Sequence, residues 1–359
     1  MKSFLSNKLS RKSLLLFLIF LLCFSVKAES PDNSDWDRVV NLKGRWKFAI
    51  GDYKEWASKD FYDEEWETIR VPSTWEDEGF YDYDGYAWYR TEFQIDAIYE
   101  GENLYLDLGY IDDVDEVYIN GELIGFSGVF PPNYTTAYNA RRVYTIPDRV
   151  LNFSSANTIA VRVYDSQLAG GIVYGDIGIF REINKVHPEI QLAGSWKFNI
   201  GDEMIWKEPD YDHSEWGNIM VPGFWMHYGF QDYDGYAWYR KEFYFDQNQS
   251  GKFVLVMGKI DDIDEVYLNG KLVGSTGDME NEQFEWDDYN KLRVYYLDES
   301  DLTPNSKNLI AVRVLDVTQH GGIYEGPVGI MKLKTFQEFW KEREKSQKRK
   351  KGFWEMFFK

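Results

Sequence analysis

The chain repeats itself. Residues 81–93, YDYDGYAWYRTEF, return at 231–243 as QDYDGYAWYRKEF with 11 of 13 positions identical, and IDDVDEVYINGELIG at 111–125 returns as IDDIDEVYLNGKLVG at 260–274 with 11 of 15. The motif order is kept as well: WKF at 46–48 and 196–198, VP at 71–72 and 221–222, AVRV at 160–163 and 311–314, GGI at 170–172 and 321–323. A period of about 150 residues is too long for a solenoid unit, so each copy must carry its own core and the chain is a tandem duplication of a whole domain. With 359 residues, 44% of them hydrophobic and 18% aromatic, the material suffices for two cores and excludes general disorder.

Within each copy the apolar period is that of strands. Leu104, Leu106 and Leu108 alternate with Tyr105 and Asp107, and Ile159, Val161 and Val163 alternate with Ala160 and Arg162. Asn120-Gly121 and Asn269-Gly270 sit between alternating runs and supply the positive φ angles of two-residue hairpin turns. Helical stretches are few and short. The expected architecture is all-β, two tandem β-sandwich domains over 36–184 and 188–334, joined by a short linker around Pro188.

The ends of the chain read differently. Lys2, Lys8, Arg11 and Lys12 precede the apolar run Leu14 to Val26, which is shorter than the ~18 residues of a membrane span, so residues 1–28 read as a secretory signal peptide cut near Ala28. Export is therefore expected, to the periplasm, the cell surface or the medium. The only cysteine, Cys23, lies in that leader, which rules out disulfides and thiolate chemistry in a processed chain. Removing 1–28 takes five positive charges and no negative one, shifting the net charge from -20 to -25, so nucleic acid is not an expected partner. The tail, 335–359, is the exception: its last 22 residues hold eight Lys or Arg against four Glu, interleaved with aromatics. That composition fits a surface-seeking amphipathic segment, on a membrane or on protein, or a solvated terminus.

The succession of WKF, VPSTW, DGYAWYR, IDDVDEVYING and GGI resembles the galactose-binding-like jelly-roll domain of family 2 glycoside hydrolases. It is also similar to the jelly-roll domain of sialate O-acetylesterases. The resemblance implies two jelly rolls and a carbohydrate ligand. In those enzymes this domain sits beside the catalytic one, and fold does not carry activity with it. Outside the two copies there is no room for the ~200–250 residues of a TIM barrel. No G-x-S-x-G elbow occurs, and none of His187, His213, His227 and His320 recurs at an equivalent position.

Sugars stack their C–H faces on aromatic rings, while carboxylates and Arg bind their hydroxyls. Asp84, Tyr86 and Arg90, with Asp234, Tyr236 and Arg240, are therefore ligand candidates, against a reading in which the arginines make structural pairs. Trp88 and Trp238 read as sandwich core. Trp75 and Trp225 follow in connections, either as ligand platforms or as caps over the core. Tyr174 and Tyr324 flank paired glycines that let the backbone approach a ligand or another strand. Asp112, Asp113 and Asp115, and Asp261, Asp262 and Asp264, cluster hard oxygen ligands of the kind calcium takes, or form hydrogen-bonded turns.

Three functions follow from these readings. The leading one is an exported, non-catalytic carbohydrate-binding protein. A glycoside hydrolase or carbohydrate esterase is the alternative, and an interaction protein that keeps the fold is the third.

Overall fold

The computed structural model describes residues 36–183, 187–246, 251–318 and 320–343; the leader and the tail beyond 343 lie outside the described residues. The first copy contains β1 (Trp36–Asn41), β2 (Gly44–Ile50), β3 (Glu67–Val71), β4 (Gly85–Phe93), β5 (Leu104–Asp112), β6 (Val114–Ile119), β7 (Glu122–Ser127), β8 (Arg141–Ile146), β9 (Asn157–Asp165), β10 (Gly171–Tyr174) and β11 (Gly178–Glu182). The second contains β12 (Ile190–Gln191), β13 (Gly194–Ile200), β14 (Gly217–Val221), β15 (Gly235–Phe245), β16 (Phe253–Asp261), β17 (Ile263–Leu268), β18 (Lys271–Thr276), β19 (Arg293–Leu297), β20 (Ser306–Asp316) and β21 (Gly322–Lys332).

Each copy forms two sheets. The six-stranded sheets run β3-β2-β4-β9-β6-β7 and β14-β13-β15-β20-β17-β18, matching strand for strand. The smaller ones run β1-β11-β5-β10, with β8 also on β5, and β12-β21-β16-β19. In the first copy one apolar cluster draws Trp46, Phe48, Tyr89 and Val161 from one sheet and Leu104, Leu106, Leu108 and Ile179 from the other. The second copy repeats this with Trp196, Phe198, Tyr239, Val312, Leu255 and Ile330. The protein is thus all-β, with a core enclosed between two sheets in each copy. The two hairpin turns form where read, with Asn120 and Asn269 both at φ 51°.

The alternation in β9 holds for Ile159, Val161 and Val163, but Ala160 and Arg162 are buried too. The reason is a second apolar layer on the outer face of the six-stranded sheet, where Ala57, Trp88 and Ala160 pack with Trp56, Trp66 and Tyr118. Trp88 is therefore core, but of this outer layer rather than of the space between the sheets. Trp238 does the same with Trp206, Trp216 and Tyr267.

The two copies pack together asymmetrically. Met220 of β14 joins the first copy's core, and Tyr228 packs against both cores. The Tyr228 ring meets Phe126 edge-on at 5.6 Å, and the Gly128 N–H donates to the His227 carbonyl at 2.9 Å. A cavity of about 630 Å³ opens along this seam, lined among others by Leu123, Phe126, Arg149, Met220 and Lys241.

After β21 the chain forms one α-helix over 333–343. Its Leu333, Phe336 and Phe339, at three-residue spacing, pack on Val254, Val256 and Met331 on the outer face of the smaller second-copy sheet. The described part of the basic tail thus docks on the protein itself. No helix among the described residues is long and apolar enough to cross a membrane.

Candidate functional site

Strand register gathers the acidic and aromatic candidates of the first copy at one end. Gly85 pairs with Asp165, Val114 with Tyr164, and Gly171 with Asp112. Asp84, Tyr86, Asp112, Asp113 and Asp165 therefore share one rim. Tyr86 lies parallel to Phe130 at 5.9 Å and meets Tyr164 at 4.7 Å, while Tyr134 meets Tyr164 at 5.6 Å. The Arg162 guanidinium lies 3.9 Å from the Phe130 ring centroid and 4.8 Å from that of Tyr86. The result is a half-exposed aromatic strip that ends on carboxylates.

At that end Asp113 is held by three donors. Thr136 Oγ1 donates to its Oδ1 at 2.5 Å; the Ser166 N–H and Oγ–H donate to its Oδ2 at 3.1 and 2.9 Å. Burial pushes its carboxyl up, but the hydroxyls of Thr136, Tyr134 and Ser166 outweigh it and hold the group below the usual range. Asp112 goes the other way, raised to about 7 by burial and then by the hydrogen bond and charge of Asp113, with Glu76 adding its own charge. Asp165 is also raised to about 7, by burial first and then by Asp113, Asp112 and Asp84. Carboxylate oxygens of Asp112, Asp113 and Asp165 lie within 4.8 Å of one another.

Several sequence candidates stand elsewhere. Trp75 and Trp225 are 0% and 1% exposed and so offer no platform to a ligand. Trp75 Nε1 donates to the Tyr89 hydroxyl at 2.5 Å, and a Cβ on Gly170 would stand 2.3 Å from its ring. On Gly321 a Cβ would stand 1.8 Å from the Trp225 ring, so the paired glycines make room for tryptophans rather than for a ligand. Arg90 and Arg240 are buried structural groups: Arg90 Nε donates to Asp63 at 2.6 Å, and Arg240 Nε to His213 Nδ1 at 3.0 Å.

Asp115 is fully buried, its Oδ1 accepting from Arg142 Nε at 2.7 Å and its Oδ2 from the Tyr144 hydroxyl at 2.6 Å. Asp264 repeats the arrangement with Arg293 Nε at 2.7 Å and Tyr295. Both are withdrawn from any metal by these partners. Tyr174 is exposed and stacks on Tyr110 at 4.5 Å, away from the paired glycines' tryptophan.

In the second copy the rim is rebuilt. Leu315 stands where Tyr164 stands, and Tyr236 packs on Ile263, Met279 and Leu315, its hydroxyl donating to Glu282 at 3.0 Å. Asp234 is exposed as Asp84 is. Asp261 and Asp316 are raised to about 8 and about 7, each by burial first, then by Asp262. Tyr324 stacks flat on Phe224 at 4.9 Å, with His320 edge-on to Phe224, and Trp286 is 83% exposed.

Asp165, Phe130, Tyr134 and Tyr164 escaped the sequence reading. Asp165 had a signal: it follows AVRV by two residues, as Asp316 does in the second copy. Phe130 and Tyr134 lie in a connection without a counterpart and gave none.

Comparison with known proteins agrees with the fold of this region. Residues 52–169, which contain the strip, match the family model of the β-galactosidase second all-β domain. Over 174 residues the chain is 26% identical to β-galactosidase BoGH2A of Bacteroides ovatus, covering 45% of this chain and 19% of that protein. It is 29% identical over 92 residues to a β-galactosidase of Thermoanaerobacter pseudethanolicus, covering 24% and 12%. A β-glucuronidase of Formosa agariphila is 25% identical over 140 residues, covering 35% and 13%. The chain thus spans less than a fifth of the length of these relatives. A crystal structure of Bacteroides uniformis β-glucuronidase is similar over 79% of this chain and 28% of its own, at 17% identity and a TM-score of 0.36. Part of the chain therefore resembles a sugar-binding-type domain of family 2 glycoside hydrolases, and the described residues, with their single α-helix, contain no (β/α)₈ barrel.

Proposed function

We propose that the chain is an exported, non-catalytic carbohydrate-binding protein built of two galactose-binding-like jelly rolls, 36–184 and 188–334. The observation that carries this reading is the strip Phe130–Tyr86–Tyr164–Tyr134, half-exposed, backed by the buried Arg162 and flanked by Asp84 and Ser166. Flat rings take the apolar faces of a pyranose, and the flanking groups take its hydroxyls. The partial likeness to proteins named β-galactosidase and β-glucuronidase supports a carbohydrate ligand and directs the choice to galactosides and glucuronides. Export rests on the leader composition of residues 1–28.

The test is binding of the mature chain to a panel of galactose- and glucuronate-terminated oligosaccharides and polysaccharides, with free sugar assayed in the same wells. Saturable binding without release, weakened by Phe130→Ala, is the expected result. The names of the relatives favour hydrolysis as the second reading; sugar release that survives repurification would establish it and end the non-catalytic one.

A further inference from the structure

Three carboxyl oxygens on the first-copy rim have no visible counterpart. Asp165 is 0% exposed, and its Oδ2 is buried without a hydrogen-bond partner. Both carboxyl oxygens of Glu76 are buried in the same way. Glu76 follows the Trp75 that packs on Gly170 and Gly171, next to Asp112 along the β10–β5 ladder. A buried carboxylate oxygen with no donor costs on the order of 1–3 kcal/mol, more when charged, and converging carboxylates add repulsion to that cost.

We propose that Asp112, Asp113 and Asp165 bind one hard divalent cation of the calcium type in the first copy, with Glu76 adding negative charge nearby. Oxygen-only ligation selects such ions over softer metals, and calcium accepts carboxylates in varied geometry, completing its shell with water. Another acidic group, Glu285, Asp287 and Asp288, makes the contrast: there the Lys291 ammonium is in place, 2.7, 3.5 and 2.8 Å from the three carboxylates. Among the described residues no Lys or Arg forms an ion pair with Asp112, Asp165 or Glu76.

The second copy lacks this site. Met226 occupies the position of Glu76, and Asp261, Asp262 and Asp316 do not form a convergent group among the described residues, although Asp316 Oδ2 is also unpartnered. The stoichiometry is therefore one ion per chain. The site revises the acidic triplet read from the sequence: Asp165, 52 residues beyond Asp113, replaces Asp115.

The experiment uses the mature chain freed of metal by chelator. Calcium titrated into it by calorimetry binds with one equivalent and raises the thermal midpoint, and terbium in its place gives luminescence sensitised by the neighbouring tyrosines. Asp165→Asn weakens calcium binding at least tenfold, Glu76→Gln weakens it several-fold, and Asp316→Asn leaves it intact. Because the wild-type titration alone decides the first point, a variant that misfolds does not protect the proposal. Neither heat nor stabilisation at millimolar calcium would overturn it and leave shared protons as the counterions. Two equivalents, or full binding by a folded Asp165→Asn chain, would overturn it as well.

Discussion

The two copies are near-identical where they fold and unlike where they face outward. Asp115–Arg142–Tyr144 inside the first is matched by Asp264–Arg293–Tyr295 inside the second. Arg162, gripped by both Asp52 oxygens at 2.6 Å, is matched by Arg313 on Asp202. At the rim and at the seam the correspondence fails: Leu315 stands at the position of Tyr164, Met226 at that of Glu76, Met220 at that of Arg70 and Tyr228 at that of Glu78. A buried ion pair cannot change one partner without stranding the other, whereas a rim residue can change alone. Duplication thus preserved one scaffold and left two rims to become different things.

The buried pairs are where the comparison is most easily broken. Asp115→Ala and Asp264→Ala each leave a buried guanidinium unpaired and cost about 3–5 kcal/mol, to be read as equal losses in urea unfolding of the full chain. A copy that tolerates the change would show that the inner scaffolds are not equivalent after all. Next comes the seam. Tyr228→Ala removes a ring shared by two cores and costs about 3 kcal/mol, whereas its counterpart Glu78→Ala removes an ion pair with the exposed Arg70 side chain and a hydrogen bond from the Arg70 backbone N–H, together about 1–2 kcal/mol. Equal losses at the two positions would mean that the seam contributes nothing.

Acid sharpens the same contrast. Burial, then the charges of Arg142 and His320, lower His227 to about 4, while its counterpart Asp77 is exposed. A histidine held neutral in the fold binds fewer protons than the unfolded chain, so stability is full above about pH 6.5 and lost as pH falls toward 4. The expected loss is about 2 kcal/mol, the partial exposure of the ring screening the rest. Since Asp112 and Asp165 are raised and act with the opposite sign over this range, the readout is the difference between wild type and His227→Gln across pH 4–7. Parallel curves would count against the histidine. The smallest effect is at the rims: Tyr86→Ala lowers sugar affinity about tenfold, close to 1.4 kcal/mol, and Tyr236→Ala leaves it within twofold, as binding isotherms would show.

What the sequence carried was whatever repeats or alternates. The duplication, the hairpins at Asn120 and Asn269, the inward leucines of β5 and the burial of Trp88 were all legible, because period and turn chemistry are local. Trp75 and Trp225 were not, since whether a ring in a connection turns inward depends on the paired glycines about 95 residues away that make room for it. Asp113 read as one of three carboxylates clustered at the start of a strand, but its neighbour Asp165 comes from the far end of β9, and only strand register joins them. Asp115, two residues from Asp113, points into the core in phase with Val117 and Ile119 of β6, with Arg142 and Tyr144 waiting there, whereas Asp113 sits in the bend between β5 and β6, outside the strand alternation.

The seam between the copies has a direction. The β7 edge of the first copy is covered by the Met220 and Tyr228 face of the second, a head-to-tail contact of the kind that, repeated, grows without closing. On the first copy the matching face carries Arg70 and Glu78, paired to one another at 3.4 Å, in place of the apolar anchors. An incoming edge strand would have to strip water from that ion pair and gain nothing greasy in return. Charge at that face thus disfavours a further copy seated in the same mode.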